Sequence, residues 1–96
     1  MLVWFIYDIV SNKRRRDIVK ICKRNGLIRV QKSVFLGNID ETKLKAIAAE
    51  SEENIDKTED SVYIFPFSQE NFSKIRLLGV AFDKAFVNDE LKEFFI

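Results

Sequence analysis

Leu2-Val3-Trp4-Phe5-Ile6-Tyr7 is an unbroken apolar run that stops at Asp8. A run this short, bounded by Asp8 and the polar pair Ser11-Asn12, predicts a strand rather than a helix. Alternation along a strand sends Val3, Phe5 and Tyr7 to one face and Leu2, Trp4, Ile6 and Asp8 to the other. Both faces are apolar, so the strand is expected at the centre of a sheet with cover on both sides. Asp8, its last residue, is where the chain first meets solvent and ligands.

The helical period takes over next. A helix is expected over 13–25, capped by Asn12 and stopped by Gly26. Ile18, Val19, Ile21 and Cys22 fill one arc of its wheel; Arg16, Lys20, Lys23 and Arg24 fill the opposite one. Arg14 and Arg15 fall on the apolar arc one turn too early for the core. They should overhang the end of the sheet where Asp8 stands. Residues 27–37 alternate again, with Ile28, Val30, Lys32 and Val34 against Arg29, Gln31, Ser33 and Phe35. No Gly or Pro precedes Gly37, which taken alone predicts one long strand.

Asn38 or Asp40 can cap a second helix reaching about residue 54, with Leu44, Ile47, Ala48, Ser51 and Ile55 as its core stripe. Residues 56–60 make a polar turn. Ser61-Val62-Tyr63-Ile64-Phe65-Pro66-Phe67 is a strand, and Pro66 ends its pairing or puts it at an edge. Residues 68–73 are expected as a loop and 74–78 as a short strand before Gly79. The tail over 80–96 holds Phe82, Phe86, Phe94 and Phe95. Asn88 could cap a final helical turn there.

This order predicts an α+β fold, ferredoxin-like βαββαβ, provided the second strand region bends into two pieces. The domain spans 1–79 and the tail 80–96. Both helices of that fold lie on one face of the sheet, and Tyr63, Phe65 and Phe67 add apolar area to what they leave. The bare face therefore calls for a second copy about a two-fold axis, or for the tail folded back over it.

The net charge of +1 hides a segregation. Residues 13–32 carry nine cations against Asp17, whereas 38–60 carry eight carboxylates against three lysines. Clustered cations are the electrostatic footprint of a phosphate-bearing partner, and a dipolar solvated surface is the plainer alternative. Lys13 to Arg16 also oppose the helix dipole, a cost that salt screening makes tolerable or that an anion bound at that helix start would offset. The chain has no histidine, so any chemistry falls to carboxylates, a metal-activated water or arginines. Its single cysteine, Cys22, excludes an internal disulfide and suits a reducing, cytoplasmic setting. No apolar run is long enough for a membrane span, and no basic segment precedes the first strand as in a secretory signal.

With these elements placed, the chain resembles the small CRISPR-associated proteins that partner the CRISPR integrase during spacer acquisition. The likeness rests on Tyr7-Asp8-Ile9 closing the first strand and on the basic run Lys13 to Arg16. It also rests on Arg29-Val30-Gln31 followed by Ser33-Val34-Phe35 and Gly37, and on Asp60-Ser61-Val62 leading to Ile64-Phe65-Pro66. Leu36 stands where the family commonly has a glutamate. The resemblance implies a homodimer in which the short last strand of each copy completes its partner's sheet. It implies that Asp8 binds Mg2+ or Mn2+ at the dimer axis, and that RNA or double-stranded DNA and the integrase subunit are partners.

Two functions follow. One is a metal-dependent endonuclease in which paired Asp8 carboxylates are the catalytic and metal-binding groups. Arg14, Arg15, Arg16 and Lys20 would hold phosphates, and Ser33 and Phe35 would orient substrate, core packing being the plainer role for Phe35. The other is a non-catalytic duplex-binding scaffold bridging integrase dimers, which needs the cations but not Asp8. A nuclease acting on RNA apart from any integrase is a third possibility.

Overall fold

The computed structural model describes residues 1–79. The expectations for the tail over 80–96 lie outside those residues. Seven elements follow in the order β1 (Leu2–Asp8), α1 (Asn12–Arg24), β2 (Ile28–Gln31), β3 (Val34–Asn38), α2 (Glu41–Glu53), β4 (Ser61–Phe67) and α3 (Gln69–Lys74). The sheet runs β2-β3-β1-β4, with every neighbouring pair antiparallel. Two split βαβ units interleaved in this way are the ferredoxin-like arrangement.

β1 is central, as its double-sided apolarity required. Val3, Phe5 and Tyr7 are buried with Ile18, Ile21 and Cys22 of α1, Phe35 of β3 and Ile47 of α2. Ala48, expected in the α2 stripe, is exposed; Leu44, Ile47, Ser51 and Ile55 carry that contact. Among the described residues, the other face is covered only at one end, where Phe72 of α3 packs on Leu2 and Leu36 with Phe67 and Trp4 alongside. Along the rest, Trp4 and Ile6 are half-buried, and Tyr63 and Phe65 are each 50% exposed with their rings stacked at 6.3 Å.

Four local expectations change. Ser11, not Asn12, caps α1, its side chain accepting from the Arg14 N–H. Residues 68–73 are not a loop: Ser68 accepts from the Asn71 N–H and opens α3, which pins Phe72 into the second apolar cluster. Residues 75–78 form no strand within this chain. Finally, the single long strand is a hairpin turning at Lys32-Ser33, with a register shift between Arg29 and Gln31. Lys32-Ser33 holds no Gly, Pro, Asn or Asp, and hydrogen bonds from Tyr7 and Arg29 hold the turn. The Lys32 carbonyl accepts from the Tyr7 hydroxyl at 2.8 Å and from Arg29 Nη2 at 2.6 Å, and the Ser33 carbonyl accepts from the Tyr7 N–H at 3.0 Å.

Two glycines are required for separate reasons. Gly26 has φ +81 and ends α1 in the left-handed region. Gly37 has no positive φ, but a Cβ there would press on a Leu27 methyl, so any side chain at this position would force Leu27 to shift. Pro66 lies in β4, an edge strand, where a missing N–H is tolerated.

Candidate functional site

Asp8 is exposed at the end of β1, opposite Ser61 of β4 and on the same side of the sheet as Trp4 and Ile6. It therefore stands at the rim of the bare face. No group of three or more carboxylate or thiol side chains able to hold a metal exists among the described residues. One chain offers Asp8 alone, and a divalent ion satisfied by one or two carboxylates plus waters would need the equivalent carboxylate of a second copy.

A second aspartate at this end behaves in the opposite way. The Asp60 side chain is fully buried. It accepts from the Val10 N–H at 3.0 Å, the Asp56 N–H at 2.9 Å and Arg14 Nε at 2.7 Å. The Arg14 hydrogen bond holds the Asp60 carboxyl well below the usual carboxylate range, against the upward push of burial. The same bond raises Arg14 above its ordinary value. Arg14 Nη2 also reaches Glu59 at 3.1 Å. The anion that the basic helix start called for is thus present within the chain.

The other predicted cations point elsewhere. Arg15 donates to Asn12 Oδ1 and, at 2.8 Å, to the Ile9 carbonyl. Arg15, Arg16, Val19, Lys20, Lys23 and Arg29 line a groove of about 310 Å³ between α1 and β2. Lys23 and Arg29 were not among the expected phosphate ligands. Lys23 lies one turn beyond Lys20, and Arg29 reaches the groove from the neighbouring strand. The Arg29 guanidinium sits 5.8 Å from the centre of the Phe35 ring and 3.3 Å from the Tyr7 hydroxyl, which fixes its direction. Phe35 itself is fully buried beneath Tyr7, with ring centres 6.3 Å apart. It is a core residue that touches Arg29, not a substrate-orienting surface. Ser33 is half-buried in the turn, where its carbonyl serves Tyr7.

Leu36 is fully buried in the second cluster. Cys22 is buried beneath α1, and burial pushes its thiol up to about 12, so it is no nucleophile. A roomier cavity of about 540 Å³, lined by Leu2, Asn38, Phe67 and Gln69 among others, lies at the far end of the sheet from Asp8. It gathers no acidic or basic side chain. No helix among the described residues is long and apolar enough to cross a membrane.

Comparison with known proteins finds relatives along most of the chain. The model of the family described as CRISPR associated protein Cas2 matches residues 1–75. A protein of Chloroflexus aurantiacus named CRISPR-associated endoribonuclease Cas2 2 is 31% identical over 80 residues, covering 83% of this chain and 94% of its own. One of Halalkalibacterium halodurans, named CRISPR-associated endonuclease Cas2, is 33% identical over 84 residues, covering 82% and 86%. Among solved structures, Streptococcus pyogenes Cas2 at pH 6.5 superposes with a TM-score of 0.72 at 27% identity, covering 82% of this chain and all of that one. The hypothetical protein TT1823 of Thermus thermophilus gives 0.71 at 30% identity, with coverage of 83% and 92%. Matched along most of its length in sequence and in fold, the chain belongs to the Cas2 family of CRISPR-associated proteins.

Proposed function

We propose that this protein is a metal-dependent endonuclease of CRISPR adaptation, acting as a homodimer on RNA or double-stranded DNA. One observation carries the reading. An exposed carboxylate, Asp8, stands at the rim of an uncovered apolar sheet face, beside a cationic helix. Closing two copies over Trp4, Ile6, Tyr63 and Phe65 would remove that apolar area from water and bring two Asp8 carboxylates towards one axis. In such a dimer residues 76–78, which form no strand here, would pair with the other copy's sheet.

Two facing carboxylates repel unless a cation or a proton lies between them. Mg2+ or Mn2+ held by both would remove that repulsion and supply an ionised water for attack at phosphorus. Asp8 holds and orients; Arg15, Arg16 and Lys20, with Lys23 and Arg29, hold the phosphodiester backbone through the groove. The nuclease names of the relatives support the activity. The test is Asp8→Asn. Metal-dependent cleavage by the purified protein should fall at least 100-fold while duplex binding persists. Undiminished cleavage would remove Asp8 from the reaction.

A second reading has its own support. Each chain brings five cations to a single groove that no carboxylate lines, which suits a scaffold that grips a duplex backbone and bridges copies of the integrase. On that reading Asp8→Asn leaves integration intact, whereas charge removal at Arg16 and Lys20 abolishes it.

A further inference from the structure

We infer that Arg14 and Asp60 are a positioning pair for the Asp8 strand end and that Arg14 is withheld from nucleic acid. The inference rests on the Asp8 reading for its catalytic consequence, and on geometry alone for the withholding.

The connector between Asp8 and α1 has three residues, and each is held. The Ile9 carbonyl accepts from Arg15, and the Val10 N–H donates to Asp60. The Ser11 hydroxyl and carbonyl accept from the Arg14 and Arg15 N–H groups. Asp60 acts on Asp8 from both sides. It binds the backbone two residues after Asp8, and it immediately precedes Ser61, which pairs with Asp8 across the sheet. Arg14 is the charge that keeps this buried carboxylate ionised and aimed.

A phosphate arriving from solvent would have to displace an anion that already has three well-aligned donors and has already been desolvated. Breaking such a pair strands an unpaired buried charge, which exchange with an exposed phosphate cannot offset. The pair therefore holds a strand tip in place, and the phosphate contacts fall to the groove cations. A carboxylate that must meet a metal and a scissile phosphate tolerates little misplacement, and a shift of about 1 Å can cost roughly 100-fold in rate.

The test compares Arg14→Gln, Arg14→Lys and Asp60→Asn with the wild type, each well below its own melting midpoint. Duplex affinity is measured against salt, and metal-dependent cleavage is measured in the steady state. In Arg14→Gln we expect an unchanged salt slope, a KM within about twofold and a kcat lowered by about tenfold or more, with part of it restored in Arg14→Lys. Asp60→Asn should show the same split.

A salt slope shallower by about 0.7–0.9 in Arg14→Gln, the signature of one lost phosphate contact, would overturn the proposal. So would an unchanged kcat in folded Arg14→Gln, which would reduce the pair to a fold contact. If Asp60→Asn does not fold, the Arg14 variants carry the test alone. A wild type without metal-dependent cleavage would defeat the Asp8 reading instead, and the salt slope would still decide whether Arg14 is withheld.

Discussion

Val3, Phe5 and Tyr7 leave β1 on one side, and Trp4, Ile6 and Asp8 leave it on the other; the two sides meet different fates. On the first, α1 and α2 cover the strand completely, and even Tyr7 spends its hydroxyl on the Lys32 carbonyl. On the second, α3 covers one end through Phe72, and the aromatic pair Tyr63–Phe65 remains half in water. Side chains of similar apolarity, one residue apart, thus end either in the core or partly in water. What separates them is the supply of helices: among the described residues α1 and α2 both lie on one face, and only the short α3 reaches the other.

Changes on each side should therefore read out differently. The largest expected effect is on the covered side. Phe5→Ala removes a side chain with no exposed surface from the middle of the core and should cost about 3–5 kcal/mol in denaturant unfolding. On the bare side, Tyr63→Ser with Phe65→Ser should change the unfolding free energy of the chain by less than about 1 kcal/mol. The same pair of changes should shift the protein towards monomer in sedimentation. A wild type already monomeric at micromolar concentration would break the contrast, because the apolar side would then have no partner to gain.

The rim repeats the contrast with charge. Asp60, held below its ordinary value of 3.8 by Arg14, contributes stability that is present above the unfolded value and is lost as pH falls through the folded one. Acidification below about pH 4 should therefore lower the wild-type melting temperature more steeply than that of Asp60→Asn. Asp56, also lowered through its bonds with Thr58, shares this window, so the variant should flatten the profile without abolishing it.

How far the chain could be read in advance follows the same division between local and distant causes. β1, α1, α2 and β4 announce themselves by period and caps, and the bare face follows from counting helices against apolar faces. The hairpin at Lys32-Ser33 is silent, because its turn is held by Tyr7 and Arg29 rather than by turn residues. α3 did leave a signal: Ser68 stands three residues before Asn71 and four before the apolar Phe72, a short capped helix easily mistaken for a polar loop. At the rim, the unfavourable cations at the start of α1 pointed to an anion, and Arg14 finds one in Asp60. Their spacing could not say that it would be Asp60, 46 residues away, rather than a phosphate.

Cys22 has one last consequence. It is the sole thiol in the sequence, is sealed on the buried face of α1, and burial pushes it up to about 12. Thiol reagents at neutral pH should leave it untouched for as long as the core stays closed. A cysteine introduced at an exposed position such as Val10 can therefore take a fluorophore or spin label without removing the native one. Distances between two such labels would report directly how copies of this chain approach one another.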